Sequence, residues 1–318
     1  MVAKRTSARR LAPLVWAVGL LCGAAWAQPV PLTVCVSADN PPLSHLVGRQ
    51  PRGLDLRIAQ AAADALGRPL KVLPFETSFE KESSLAREVS ALLSAGLCDA
   101  ASGFPLLAGD FAAAAGDKSR TPDYPGAKRK RERPFIALQS LAPSRAYFSA
   151  ALGVVQPAGA PPLNHLGDLG ERRIGVVSGT LGGAVAMGWK QGALRSRLVS
   201  LGQKEQPLDE LAAAPAAGAT TRRFDGVLMP LALFDGWMVQ HPRAPLVAAG
   251  WQRSIGVNLG FVTLASDTTV RPALDAVISR ALADGSLPRW AAEEGVTWSA
   301  PGQPEVTRGP NLADLTSD

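Results

Sequence analysis

Hydrophobic and polar positions alternate through PLTVCVSA (31–38), which predicts a strand. In GLDLRIAQAAADALG (53–67) the period becomes helical: Leu54, Ile58, Ala62 and Leu66 share one face, Asp55 stands in the first turn and Gly67 ends it. PLKVLPF (69–75) predicts a second strand. A helix over 79–95 carries Leu85, Val89, Leu92 and Leu93 on one face and stops at Gly96, and CDAASGF (98–104) reads as a third strand. Strand, helix, strand, helix, strand is the signature of a parallel α/β unit.

The pattern recurs. RRIGVVSG (172–179) predicts a strand and GGAVAMGWKQGA its helix; RLVSLG (197–202) is a strand and PLDELAAA a helix; FDGVLMP (224–230) is a strand, followed by the helix LALFDGWMVQ, and PLVAAG (245–250) closes the set. The expectation is two α/β lobes of similar architecture. SAALGVVQPAG (149–159) and SIGVNLGFVTLAS (254–266) read as crossings between them, and 272–296 as C-terminal helices returning to the first lobe. The expected division is a leader over 1–27, lobe 1 over 28–152, lobe 2 over 153–252, a return to lobe 1 over 253–304 and a flexible tail over 305–318. One stretch, 108–141, shows no periodicity. It is rich in Ala, Gly, Pro and charge and holds KRKRER (128–133), so it is either a docking loop for an acidic partner or a solvated insertion.

Composition and charge narrow the picture at the ends. MVAKRTSARR, an apolar run and Ala25-Trp26-Ala27 form the three parts of a cleavable secretory signal, the alternative being an uncleaved anchor helix. The 318 residues carry 33 Lys and Arg against 27 Asp and Glu. Removing the four basic residues of the leader lowers the net charge from +6 to +2, so nucleic acid is not an implied partner. The expected location is the periplasm. Outside the leader only Cys35 and Cys98 remain, most simply a disulfide in an exported chain, otherwise two separately buried thiols. His45, His165 and His241 are scattered without ligand spacing, so neither a metal nor another cofactor is expected.

Ligands of such sheets sit beyond the carboxyl ends of the strands. That rule nominates Asn40 and Ser44 after the first strand and Gly103 and Phe104 after the third. In the second lobe it nominates Ser178 and Thr180 of SGTLGG, where free N–H groups at a helix start favour an anion, and Met229 near the end of its strand. Phe104 and Tyr147 would sandwich a ligand, unless both pack in the core. No G-x-S-x-G elbow, free cysteine or partnered histidine is present to support catalysis, and binding is the default.

GLDLRIAQAAADALG, LLSAGLCDAASG, IGVVSGTLGG, FDGVLMP and ALADGSLPRWAAEEGV, in that order, resemble the bacterial extracellular solute-binding proteins of family 3, which include the amino-acid receptors of ABC importers. The resemblance covers nearly all of the chain after the leader and implies a two-lobed, hinged clamshell, the periplasmic binding protein type 2 fold. The family's amino-acid anchors do not carry over cleanly: Leu43 replaces an aromatic, Phe104-Pro105 stands where a Ser or Thr is usual, the basic insertion intervenes where an arginine for the substrate carboxylate is expected and leaves Arg133 or Arg145 as candidates, and Pro230 replaces an acid. Val34-Cys35, Cys98-Asp99 through Gly103 and Pro105, and Pro230-Leu231-Ala232 are more similar to the binding-protein-like partners of quinoprotein (methanol-type) dehydrogenases. The expectation is a monomeric, non-catalytic periplasmic protein that binds a small solute and partners such a dehydrogenase. The alternatives are an ordinary receptor delivering an amino acid or organic acid to an ABC permease, and a dehydratase-like enzyme on the same scaffold.

Overall fold

A computed structural model describes residues 29–77, 84–112, 116–213 and 222–317. The expected leader and the start of the helix expected from 79 lie outside these residues. The first unit contains β1 (Leu32–Ser37), α1 (Leu54–Ala65), β2 (Leu70–Phe75), α2 (Leu85–Ser94) and β3 (Ala100–Pro105). The chain then crosses on β4 (Leu141–Pro157) into β5 (Ile174–Val177), α3 (Leu181–Gly188), β6 (Leu198–Leu201), α4 (Pro207–Ala212), β7 (Gly226–Pro230) and α5 (Leu231–Gln240). It returns on β8 (Leu246–Leu264) to α6 (Val270–Ala283) and α7 (Ser286–Glu293), and ends in α8 (Leu312–Thr316).

These strands form one sheet in the order β6-β5-β7-β4-β8-β3-β1-β2. Pairing is parallel within β2-β1-β3 and within β6-β5-β7. The two long strands β4 and β8 run antiparallel to each other, with β7 flanking one and β3 the other. Each lobe thus has its own parallel unit, and two strands join them. The fold is mixed α/β with two lobes, as the periodicity implied, and the clamshell architecture is the one the resemblance implied. One boundary differs: PLVAAG and the second crossing are a single strand, bent by register shifts after Ala248 and after Ser254. Gly256, at φ +74, lies in the second irregularity and supplies the backbone freedom it needs.

Each lobe packs helices on both faces of its half of the sheet. In lobe 1, α1, α6 and α7 cover one face through Leu54, Ile58, Ala62, Leu274, Ile278 and Leu287, while α2 covers the other through Val89, Leu92 and Leu93. In lobe 2, α3 contributes Val185 and Ala186 to one face, and α4 and α5 place Leu208, Leu211 and Phe234 on the other. The α3 helix is shorter than its sequence implied, because Lys190 and Gln191 take positive φ and break it. Cys35 and Cys98 form a disulfide with 5.7 Å between Cα atoms, joining β1 to the segment that enters β3, its sheet neighbour. The adjacent Asp99 accepts from the Thr33 amide and from Arg68, fastening the same corner.

The stretch expected as a flexible tail packs instead on both lobes. The Asn258 side chain donates to the carbonyls of Gly302 and Glu305, Thr307 pairs with the backbone at Leu106 and Ala108, and Leu315 is buried in the lobe 2 core. Among the described residues no helix is long and apolar enough to cross a membrane.

Candidate functional site

The lobe 1 side of the cleft is built where three segments converge. After β1 the chain forms a small antiparallel sheet in which Asn40 pairs with Ser44 and His45 with Arg52. Leu43, where the resemblance would place an aromatic ligand contact, is turned into the lobe 1 core. The sheet delivers the chain to Gly53, whose φ is +123 and whose missing Cβ would lie 2.2 Å from the Leu43 carbonyl oxygen. Only glycine fits there, and α1 starts immediately after it. Asp55, in the first turn of α1, is completely buried.

Asp55 is the centre of this cluster. Tyr147 on β4 donates its hydroxyl to Asp55 Oδ1 at 2.6 Å, and the Gly103 backbone also bonds the tyrosine oxygen. A Cβ at Gly103, where φ is +64, would stand 3.1 Å from Asp55 Oδ2 and 3.6 Å from Asn40 Nδ2. Burial pushes the Asp55 carboxyl up to about 6, against the smaller stabilising effects of Tyr147 and Ser102. Burial and the neighbouring carboxylate together push Tyr147 well above its ordinary value. Ser44 Oγ is a buried polar atom without a hydrogen-bond partner among the described residues.

The structure therefore brings Asn40, Gly103 and Tyr147 together in lobe 1, with Asp55 as the group that sequence reasoning missed. Its signal was present: an acid in the first turn of an otherwise apolar helix face. Phe104 and Tyr147 do not form a sandwich. Phe104 is buried against Phe111, Cys35 and Phe75 beneath α2, whereas Tyr147 is buried beside Phe261 beneath α1, on the opposite face of the sheet. Both are packing residues. Arg133 is folded into the 108–141 insertion, and Arg145 pairs with Glu305 and Ser279, so neither arginine is spare for a ligand carboxylate.

In lobe 2, Ser178 is exposed at the end of β5 and shares a 2.6 Å hydrogen bond with the Ser200 hydroxyl. Thr180 is the N-cap of α3: its hydroxyl accepts from the Gly183 amide at 3.2 Å and donates to the Val177 carbonyl at 2.7 Å. That cap satisfies one of the backbone N–H groups that the start of α3 leaves without an intrahelical partner. Met229 is half-buried at the end of β7 against the lobe 2 core. The lobes meet at α5. Asp235 accepts from the amide of Thr297 at 2.7 Å and from its hydroxyl, and the carbonyl of Pro41 lies 3.1 Å from where a Cβ on Gly236 would stand. Burial raises Asp235 to about 6, partly offset by the two Thr297 bonds.

A groove of about 280 Å³ opens at the carboxyl ends of β1 and β2, lined by Phe75, Glu76, Leu46 and by Asp123 and Tyr124 of the insertion. No sequence pattern points to it, because Tyr124 belongs to the stretch without periodicity. A larger groove beside Arg57, Trp290 and Glu294 lies between α1 and α7, away from the strand ends. No group of three or more His, Cys, Asp or Glu among the described residues is arranged to hold a metal ion.

No family model matches the sequence, and no curated protein matches it. Solved structures do match. One is the second substrate binding domain of a protein assigned as an amino acid ABC transporter from Streptococcus pneumoniae, 13% identical, with a TM-score of 0.55 over 82% of this chain and 98% of that one. Another is an ancestral cyclohexadienyl dehydratase, 15% identical, with a TM-score of 0.53 over 83% of this chain and 92% of the other. At such identities the likeness speaks for architecture alone. The chain has the fold of the two-lobed periplasmic binding proteins of type 2.

Proposed function

We propose that this protein is an exported, non-catalytic monomer that holds a small solute between its two lobes. The observation that carries this reading is topological: loops at the carboxyl ends of β1 and β3 in one lobe, and of β5 and β7 in the other, belong to two parallel units joined by β4 and β8. In this reading Asn40 and the Gly103 backbone contact the solute from lobe 1, Ser178 and the N–H groups after Thr180 contact it from lobe 2, and Met229 supplies an apolar wall. Ser44 and Asp55 support the first group from beneath. Delivery to an ABC permease is favoured by the likeness to a transporter's substrate binding domain.

A second reading, partnership with a periplasmic quinoprotein dehydrogenase, is favoured by the engagement of Arg133 and Arg145 elsewhere. An amino acid's carboxylate then lacks an arginine, and burying a zwitterion without anchors costs several kcal/mol. The likeness to a dehydratase makes an enzyme testable as well. The experiment is a thermal-shift screen of residues 28–318 against amino acids, organic acids, alcohols and amines. A binder at 100 times its dissociation constant stabilises by about 2.7 kcal/mol. A hit names the solute class; a blank across all four classes defeats the solute reading.

A further inference from the structure

We infer that residues 117–139 of the insertion are a docking platform for an anionic phospholipid surface. This segment is a built structure. At its centre the buried Arg133 donates to the carbonyls of Lys128 at 2.6 Å and Thr121 at 2.7 Å and pairs with Asp123. Residues 118–119 pair with 136–137, and Arg87 and Ser94 of α2 bond Asp117 and Gln139, seating the loop on lobe 1. What this scaffold displays is Lys128, Arg129 and Arg131, all exposed, beside Phe135, which is 60% exposed and stacks on the Arg120 guanidinium at 4.1 Å.

The charge is segregated. Residues 117–135 hold seven Lys and Arg against three Asp and Glu, a net +4, which leaves −2 for the rest of 28–318. On a negative surface the molecule therefore turns the insertion inward and the remainder outward. Phe135, as an exposed aromatic among cations, favours a lipid surface over a folded acidic protein. A stable protein interface needs an apolar core within about 800 Å² per partner, and one phenylalanine does not provide it. An interfacial aromatic with a ring of Lys and Arg matches the headgroup region, where each cation near the surface strengthens binding about fivefold. The inference is independent of the cleft, since neither the solute nor its contacts enter it.

The test is flotation of residues 28–318 with large unilamellar vesicles of phosphatidylcholine alone and of phosphatidylcholine with 30% phosphatidylglycerol, in 100 mM KCl. The expected result is binding to the anionic vesicles only, weakened on the order of 100-fold by the triple change Lys128→Ala, Arg129→Ala, Arg131→Ala, and weakened also by Phe135→Ser. Because these side chains are exposed, the variants keep the wild-type melting temperature. Raising KCl to 500 mM gives the same loss without mutation. Equal binding to both vesicles, no binding to either, or a triple variant that floats like the wild type overturns the inference. Retention on immobilised polyglutamate without vesicle binding would also overturn it, in favour of an acidic protein partner.

Discussion

At the scale of single residues, Asp55 shows how much burial decides. Its carboxyl binds its proton more tightly folded than unfolded, at about 6 against 3.8. Its contribution to stability is therefore fully present below about pH 4 and is lost as pH rises through 6, a difference of about 3 kcal/mol. Asp55→Asn should flatten that part of the stability profile between pH 4 and 7; denaturant melts across the range measure it, and an unchanged slope refutes the assignment. Asp235 adds to the wild-type slope and stays in the variant, so some dependence remains. Gly53→Ala places a methyl against the Leu43 carbonyl at a φ closed to other residues and should cost at least about 2 kcal/mol. A melt equal to wild type contradicts that. Residue depth was the least legible quantity in the sequence. Phe104 and Tyr147 sit on strands beside the cleft, and period-two alternation assigns a side chain to a face without saying whether that face is open or covered by a helix.

At the scale of elements, the helices of both parallel units were legible from a single apolar face, and their strands from short apolar runs that the sheet buries on both sides. The long crossing β8 was not, since its bulges interrupt the alternation that would have revealed one strand. The disulfide was readable from cysteine count, and its place explains its use: it ties β1 to the entrance of β3 across 63 residues of chain that include α1, β2 and α2. Cys35→Ser should lower the stability of the oxidised protein by about 2–4 kcal/mol. Thermal melts with and without reductant check this, and a variant matching the oxidised wild type contradicts it.

At the scale of the molecule, the segment after α7 acts as a strap. It leaves lobe 1 through Thr297 on Asp235, binds the crossings at Ser149 and Asn258, returns to β3 at Leu106, and ends with Leu315 in the lobe 2 core. Expected as a tail, it has backbone groups satisfied by partners far away in sequence, Asn258 at Gly302 and Glu305 and the backbone of Leu106 and Ala108 at Thr307. Leu315→Ala should cost on the order of 2 kcal/mol and loosen the end of the strap, which amide exchange over 305–317 would report; unchanged exchange would deny it that role. The central claim is that one solute is held by both lobes. The most direct measurement is calorimetric titration of the solute found by screening into wild type, Asn40→Ala and Ser178→Ala. The account predicts that each change alone, one in each lobe, weakens binding about tenfold while the melting temperature of the free protein holds. A solute bound with wild-type affinity by both variants would contradict it.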